Sequence, residues 1–194
     1  MTGRRRDRGS RRPPGYSLIE LLFATSLIAV LSGVALPQLA AGLDRSRAWH
    51  AARYLSARMM AARSLAVMRS ANVALRFRRV GSDFTLQMFA DTDYDGVRTR
   101  DIDARVDRPI GMPVRLSDLF PGVVIGTPGP LGGDAVRIGS SDLLSFTPLG
   151  TATPGTIYIR GRDGTQLAVR ILGATARARV LRLVARTGEW VESF

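Results

Sequence analysis

The sequence predicts an α+β protein: one long N-terminal α-helix, apolar in its first half and amphipathic in its second, packed on a mostly antiparallel β-sheet head. Three observations predict it. Residues Tyr16–Leu36 form an almost uninterrupted apolar run with one carboxylate, Glu20, inside it. Beyond Pro37 the pattern turns one-sided at helical spacing, with Leu55, Met59, Ala62 and Ala66 on one face. After Asn72 the period changes to two, and Gly and Pro punctuate a series of short apolar segments.

Composition narrows the function classes. The chain has 194 residues and is 45% hydrophobic, enough for one domain plus an appendage. It has no cysteine, which excludes a disulfide framework, a Cys zinc site and a thiol nucleophile. Its single histidine, His50, sits on the helix between Trp49 and Ala51 with no partner nearby in sequence. No acid pair marks a pocket, so no catalytic residues are assigned and an enzyme is not expected. The net charge is +12, and every one of the 28 basic residues is arginine. Arginines that converge grip phosphate bidentately.

The first element is a basic leader, Arg4 to Arg12, that stops at Gly15. The apolar run after it is hydrophobic all round, as a lipid-exposed span should be. A carboxylate at membrane depth costs about 2.5–3.5 kcal/mol on insertion scales, so Glu20 calls for a role. An ordinary secretory signal fits poorly: cutting after Ala41 puts Leu39 at the −3 position, with Pro37 and Gln38 intruding. A plain signal anchor, with arginines held in the cytoplasm, leaves Glu20 unexplained.

Gly15, then Tyr16, then Ser17-Leu18-Ile19-Glu20 resembles the class III leader of type IV pilins and type II secretion pseudopilins. That family has a basic leader ending in Gly, an aromatic residue, and Glu at the fifth mature position. Tyr16 stands where Phe is usual. Pro37, twenty-second from Tyr16, matches a helix-kinking proline of the family, and proline is expected to kink the helix near Gly33–Pro37. The resemblance implies that a prepilin peptidase cuts between Gly15 and Tyr16 on the cytoplasmic face and methylates the new Tyr16 amine. It implies that Glu20 pairs with the N-terminal ammonium of a neighbouring subunit; two opposite charges in hydrocarbon attract strongly and each alone is costly. It also implies a single-pass protein of a bacterial inner membrane, N-terminus cytoplasmic and head periplasmic. Its partners would be other pseudopilins or pilins, the peptidase and the inner-membrane assembly platform.

The helix is expected to run to about Arg69, favoured by abundant alanine. Val73, Leu75 and Phe77, then Phe84, Leu86 and Met88, alternate with other residues around a Gly81-Ser82-Asp83 turn, which reads as a hairpin. Further strands are expected at 114–116, 123–125, 135–138, 143–147, 156–160, 167–172 and 178–184, in two packed sheets or one curled sheet. The expected division is a cleaved leader (1–15), a transmembrane and assembly helix (16–38), an amphipathic helix continuing into the head (39–71), and a β-rich periplasmic head (72–194).

Two motifs carry candidate chemistry. Asp91-x-Asp93-x-Asp95-Gly96 begins as an EF-hand loop begins. Calcium wants six to eight oxygens, and the twelfth loop position, a Glu in EF-hands, is Ile102 here, flanked by Asp101 and Asp103. Two readings stand: a Ca2+ site of Asp91, Asp93, Asp95 and Asp101, or a solvated acidic loop paired with Arg98, Arg100 and Arg105. No cofactor is required by the chain as a whole, and Ca2+ is the one candidate. The second motif is Phe146-Thr-Pro-Leu-Gly150 with Gly155-Thr-Ile157, Val169-Arg170 and Ala176-Arg-Ala-Arg179. This resembles the end of the H-type minor pseudopilins, the GspH/FimT family. In the branch serving natural transformation, a terminal Gly-Arg-x-Arg binds DNA; Arg177 and Arg179 match it, with Ala176 in place of its glycine. The resemblance therefore implies a minor pseudopilin for type II secretion, with a DNA-binding, FimT-like minor type IV pilin as the alternative. A solvated strand edge explains the same arginines without DNA.

Overall fold

The computed structural model describes residues 15–127, 133–139 and 141–192. The basic leader before Gly15 lies outside the described residues, as does the Pro128-Gly129-Pro130 punctuation. The described chain is α+β. Helix α1 (Leu18–Arg69) is followed by strands β1 (Val73–Val80), β2 (Asp83–Ala90), β3 (Arg108–Arg115), β4 (Val124–Ile125), β5 (Val136–Ile138), β6 (Leu143–Phe146), β7 (Gly155–Arg160), β8 (Gln166–Ile171), β9 (Ala178–Val184) and β10 (Glu189–Glu192). Two short helices, α2 (Thr99–Asp103) and α3 (Leu116–Leu119), sit between strands.

The chain divides into two units, residues 1–40 and 41–194. In the first, α1 opens with the Leu21 N–H donating to the Ser17 carbonyl at 3.1 Å. Glu20 lies in the first turn, where a negative charge complements the helix dipole. The described side chains of this unit are exposed, and α1 is long and apolar enough to cross a membrane. The hydroxyls of Thr25 and Ser26 donate to the Leu22 carbonyl at 3.0 and 2.7 Å, so neither demands water inside the apolar run. The helix continues through position 37; the kink the sequence predicts there rests on the Pro37 side chain, which lies outside the described residues.

In the second unit the rest of α1 buries one stripe completely: Ala48, Ala51, Ala52, Leu55, Met59, Ala62 and Ala66. That includes the four positions the periodicity predicts. The helix ends in a Schellman motif: Ser70 adopts φ 52°, its N–H donates to the Val67 carbonyl, and the Ala71 N–H donates to the Ala66 carbonyl. Asn72 then turns the chain into β1.

Every strand pairing is antiparallel. One sheet has the order β3-β2-β1-β6, the other β10-β9-β8-β7-β4, with β5 also on β7. One apolar cluster unites α1 with both sheets, including Phe77, Leu86, Phe146, Ile157 and Val169. Each such side chain contributes about 1.5–3 kcal/mol on burial. A satellite cluster of Ala74, Phe89, Val97, Ile102 and Leu143 packs separately.

The structure corrects one strand expectation and adds two elements that were not expected. Residues 114–116 are not a separate strand: β3 begins at Arg108, and Leu116 starts α3, buried against the core. Pro109, Gly111 and Pro113 hide β3 in the sequence, yet an edge strand tolerates proline. Leu86 pairs Val114 and Met88 pairs Ile110, so residues 111–113 bulge opposite Gln87. Helix α2 and strand β10 carry too little apolar alternation to be read from sequence.

Candidate functional site

The assembly segment stands first. Gly15 and Tyr16 precede the helix, and Tyr16 is 85% exposed. Glu20 and Ala24 fall one helical turn apart and, with Tyr16, Leu21 and Thr25, line one shallow groove. Gly15, Tyr16 and Glu20 are all exposed among the described residues.

The acidic loop is built on Asp91, at the end of β2. Its carboxylate is buried and fully engaged. Oδ1 accepts the Tyr94 N–H at 2.8 Å, and Oδ2 accepts the Gly96 N–H at 3.0 Å and Asn72 Nδ2 at 2.9 Å. Burial pushes the Asp91 carboxyl up, but these three donors outweigh it and hold the group below its ordinary value. Asp93 and Asp95 come together with it: one carboxylate oxygen from each of the three lies within 4.8 Å of the others. Asp93 is held above its ordinary value by desolvation and by the charge of Asp95. Asp95 pairs with Arg98 and, at 3.5 Å, with Arg100.

Asp101 is not drawn into that group. Its carboxylate pairs with Arg100 at 3.3 Å, and its backbone carbonyl accepts the N–H groups of Val106 and Asp107. Ile102, at the position where an EF-hand carries its bidentate Glu, is buried in the satellite cluster. The residue that sequence reasoning missed is Asp107. It is 1% exposed, its Oδ2 accepts the Arg98 N–H at 3.3 Å, and its Oδ1 has no partner among the described residues. Burial pushes its carboxyl up, against the Arg98 and Thr92 N–H groups; the charges of Asp91 and Asp101 add to the rise. No local motif announces it, because its burial is created by the loop folding back.

The arginine strand is β9. Arg177 and Arg179 are both exposed. Arg179 reaches Glu192 of β10 at 3.0 Å. Ala176, the residue replacing the motif's glycine, is fully buried and adopts φ 49°. That left-handed conformation is the one glycine takes at least cost. The unusual backbone angle is therefore kept, and the extra methyl packs in the main core. Strand register gathers aromatic groups on the face of Arg179: Tyr158 pairs Ala168, Ala168 pairs Leu181, and Arg170 pairs Arg179. Tyr158 and Trp190 have ring centroids 5.5 Å apart, and the Arg137 guanidinium lies 5.1 Å from the Tyr158 centroid. The sequence alone shows no aromatic beside these arginines.

The profile of the family described as type II transport protein GspH matches residues 51–176, more than half of the chain. The chain belongs to the GspH family. No curated protein and no solved structure matches it. Two glycines of the family-like segment have physical reasons within this span. Gly150 closes the turn begun at Thr147 with φ 80°, its N–H donating to the Thr147 carbonyl. Gly155 lets β5 cross close to β7: a Cβ there would stand 2.9 Å from the Arg137 carbonyl oxygen. GspH membership supports a pseudopilin-like part in type II secretion, with other pseudopilins as partners. The family is structural rather than enzymatic, and the apolar N-terminal helix is compatible with anchoring in the inner membrane. Gly15, Tyr16, Glu20, Arg177 and Arg179 all fall outside the matched span.

Proposed function

We propose that this chain is a minor pseudopilin that initiates or caps the short pseudopilus of a type II secretion system. The GspH match over the head carries the reading, and the exposed apolar first half of α1 supports it. Prepilin peptidase cuts between Gly15 and Tyr16 and methylates the Tyr16 amine. The apolar segment anchors the subunit in the inner membrane, head in the periplasm, until the assembly platform draws it into the filament. Glu20 then pairs with a neighbour's N-terminal ammonium and sets the register of packing, because either charge alone in hydrocarbon is costly.

Mass spectrometry of the N-terminus, with and without the peptidase, tests this. A chain beginning with N-methylated Tyr16 only when the peptidase is present is the expected result. A start at Ala41 or Gly42, or an intact Met1, would sink the reading.

A second reading is a FimT-like minor pilin that binds DNA. The clustering of Arg170 and Arg179 with Tyr158 and Trp190 on one sheet face favours it, since stacking rings beside cations suit nucleic acid. The purified protein would then bind DNA with steep salt dependence, and Arg177→Ala with Arg179→Ala would abolish binding. No retardation of DNA at low salt removes this reading.

A further inference from the structure

The arginines of β9 do not all share one face. Arg182 has the opposite strand parity from Arg179. It joins Arg186 of the following turn with Arg45 and Trp49 of α1, and the four line a cleft of about 420 Å³. Among the described residues the cleft has one carboxylate, Asp163, and that group is largely spent. Asp163 accepts the Thr165 N–H at 3.1 Å and the Thr165 hydroxyl at 2.5 Å. Its guanidinium neighbour is Arg45, with Nε at 3.9 Å, and the Arg45 side chain stays 68% exposed. Among the described residues no carboxylate lies within 4.0 Å of Arg182 or Arg186. The fold thus collects three guanidinium groups beside an indole with little to neutralise them.

We propose that this cleft docks a carboxylate-bearing segment of a neighbouring subunit's polypeptide. Guanidinium forks match carboxylates bidentately, and the Trp49 ring adds a rigid apolar contact. The volume falls in the range of small-ligand pockets, which suits a few side chains rather than a whole domain face. A second copy of this chain is a poor occupant, because each copy is strongly basic with or without its leader. Single-stranded nucleic acid is disfavoured as well: it wants successive stacking rings along a continuous basic track, and this cleft has one indole and is interrupted by Asp163. The choice of a polypeptide subunit as occupant rests on the pseudopilin reading.

The test uses the full chain in zwitterionic detergent and a fluorescent capped peptide of alternating glutamate and glycine, followed by anisotropy at low ionic strength. Saturable binding is expected. Arg182→Glu with Arg186→Glu should weaken it about tenfold or more and create affinity for a lysine–glycine counterpart. Arg177→Glu with Arg179→Glu, neither of which lines the cleft, should leave it within about twofold. All four positions are exposed, and circular dichroism of each variant confirms the fold. Equal binding by the Arg182→Glu, Arg186→Glu variant overturns the proposal. So does displacement of the peptide by an oligothymidylate, or by anionic lipid vesicles, at lower charge concentration than by unlabelled peptide. The N-terminal mass spectrum of the same preparation separates the two readings. A Tyr16 start without peptide binding removes the cleft and leaves the pseudopilin role standing.

Discussion

Asn72 and Asp91 hold each other in both directions: Asn72 Nδ2 donates to Asp91 Oδ2 at 2.9 Å, and the Asp91 N–H donates to the Asn72 carbonyl at 3.0 Å. Asn72 leads into β1 and Asp91 leaves β2, so the clasp closes the open end of that hairpin. It also anchors the acidic loop, through the Tyr94 and Gly96 N–H groups on the same carboxylate. Asp91→Ala should destabilise the head by about 2–3 kcal/mol, since it strands several donors at once; Asn72→Ala should cost about 1 kcal/mol. Urea midpoints of residues 41–194, which hold every buried core residue described, measure both.

The same carboxylate sets an acid limit. Its folded pKa lies below the unfolded value, so its stabilisation is present above the ordinary carboxylate range and is lost as pH falls through the folded value. On acidification below about pH 4 the parent should lose more stability than Asp91→Asn does. Equal losses would show that another group carries the acid sensitivity.

Asp107 acts in the opposite sense. Its folded pKa is raised, so its contribution is fully present below the unfolded pKa and is lost as pH rises through the folded value. The stability advantage of the parent over Asp107→Asn should therefore shrink between pH 4 and pH 7. A growing advantage would contradict the placement of its unpaired Oδ1.

Ala176 balances two opposing effects. Left-handed backbone costs a non-glycine residue about 1–2 kcal/mol. Its buried methyl contributes about 0.8 kcal/mol, and glycine would add about 0.5–1 kcal/mol of lost chain entropy. Ala176→Gly should thus lie within about 1 kcal/mol of the parent, whereas Ala176→Val, β-branched at φ 49° in a full core, should cost about 2–4 kcal/mol. Chemical denaturation of the pair tests this.

Gly155→Ala should destabilise the head by about 1–3 kcal/mol, because the new methyl meets the backbone carbonyl of Arg137 and the Ile138 side chain at 2.9 Å. Hydrogen exchange should then rise first in β5, whose pairing partner is β7.

Calcium gives a direct measurement on the acidic loop. Asp91 is already filled by N–H donors and Asp95 by two arginines, so millimolar calcium should raise the unfolding midpoint by less than about 2 °C. A rise above about 5 °C that Asp93→Asn removes would establish a cation site there.

The sequence by itself determined the helix with its apolar and amphipathic halves, its end at Arg69, the hairpin at Gly81 and most strand positions. Those features are written in short windows: a period of 3.6 or 2 and a glycine or proline are local, and local physics reads them. It also marked the family through residues spaced along one segment. Only the tertiary structure decided which charges meet. It buried Asp107, left Asp101 out of the acidic group, turned Arg179 and Arg182 to opposite faces, and brought Trp49 to Arg182 across more than half the chain. Such meetings depend on strand register and on where α1 seats in the sheets, and a shift of one residue would reverse every face.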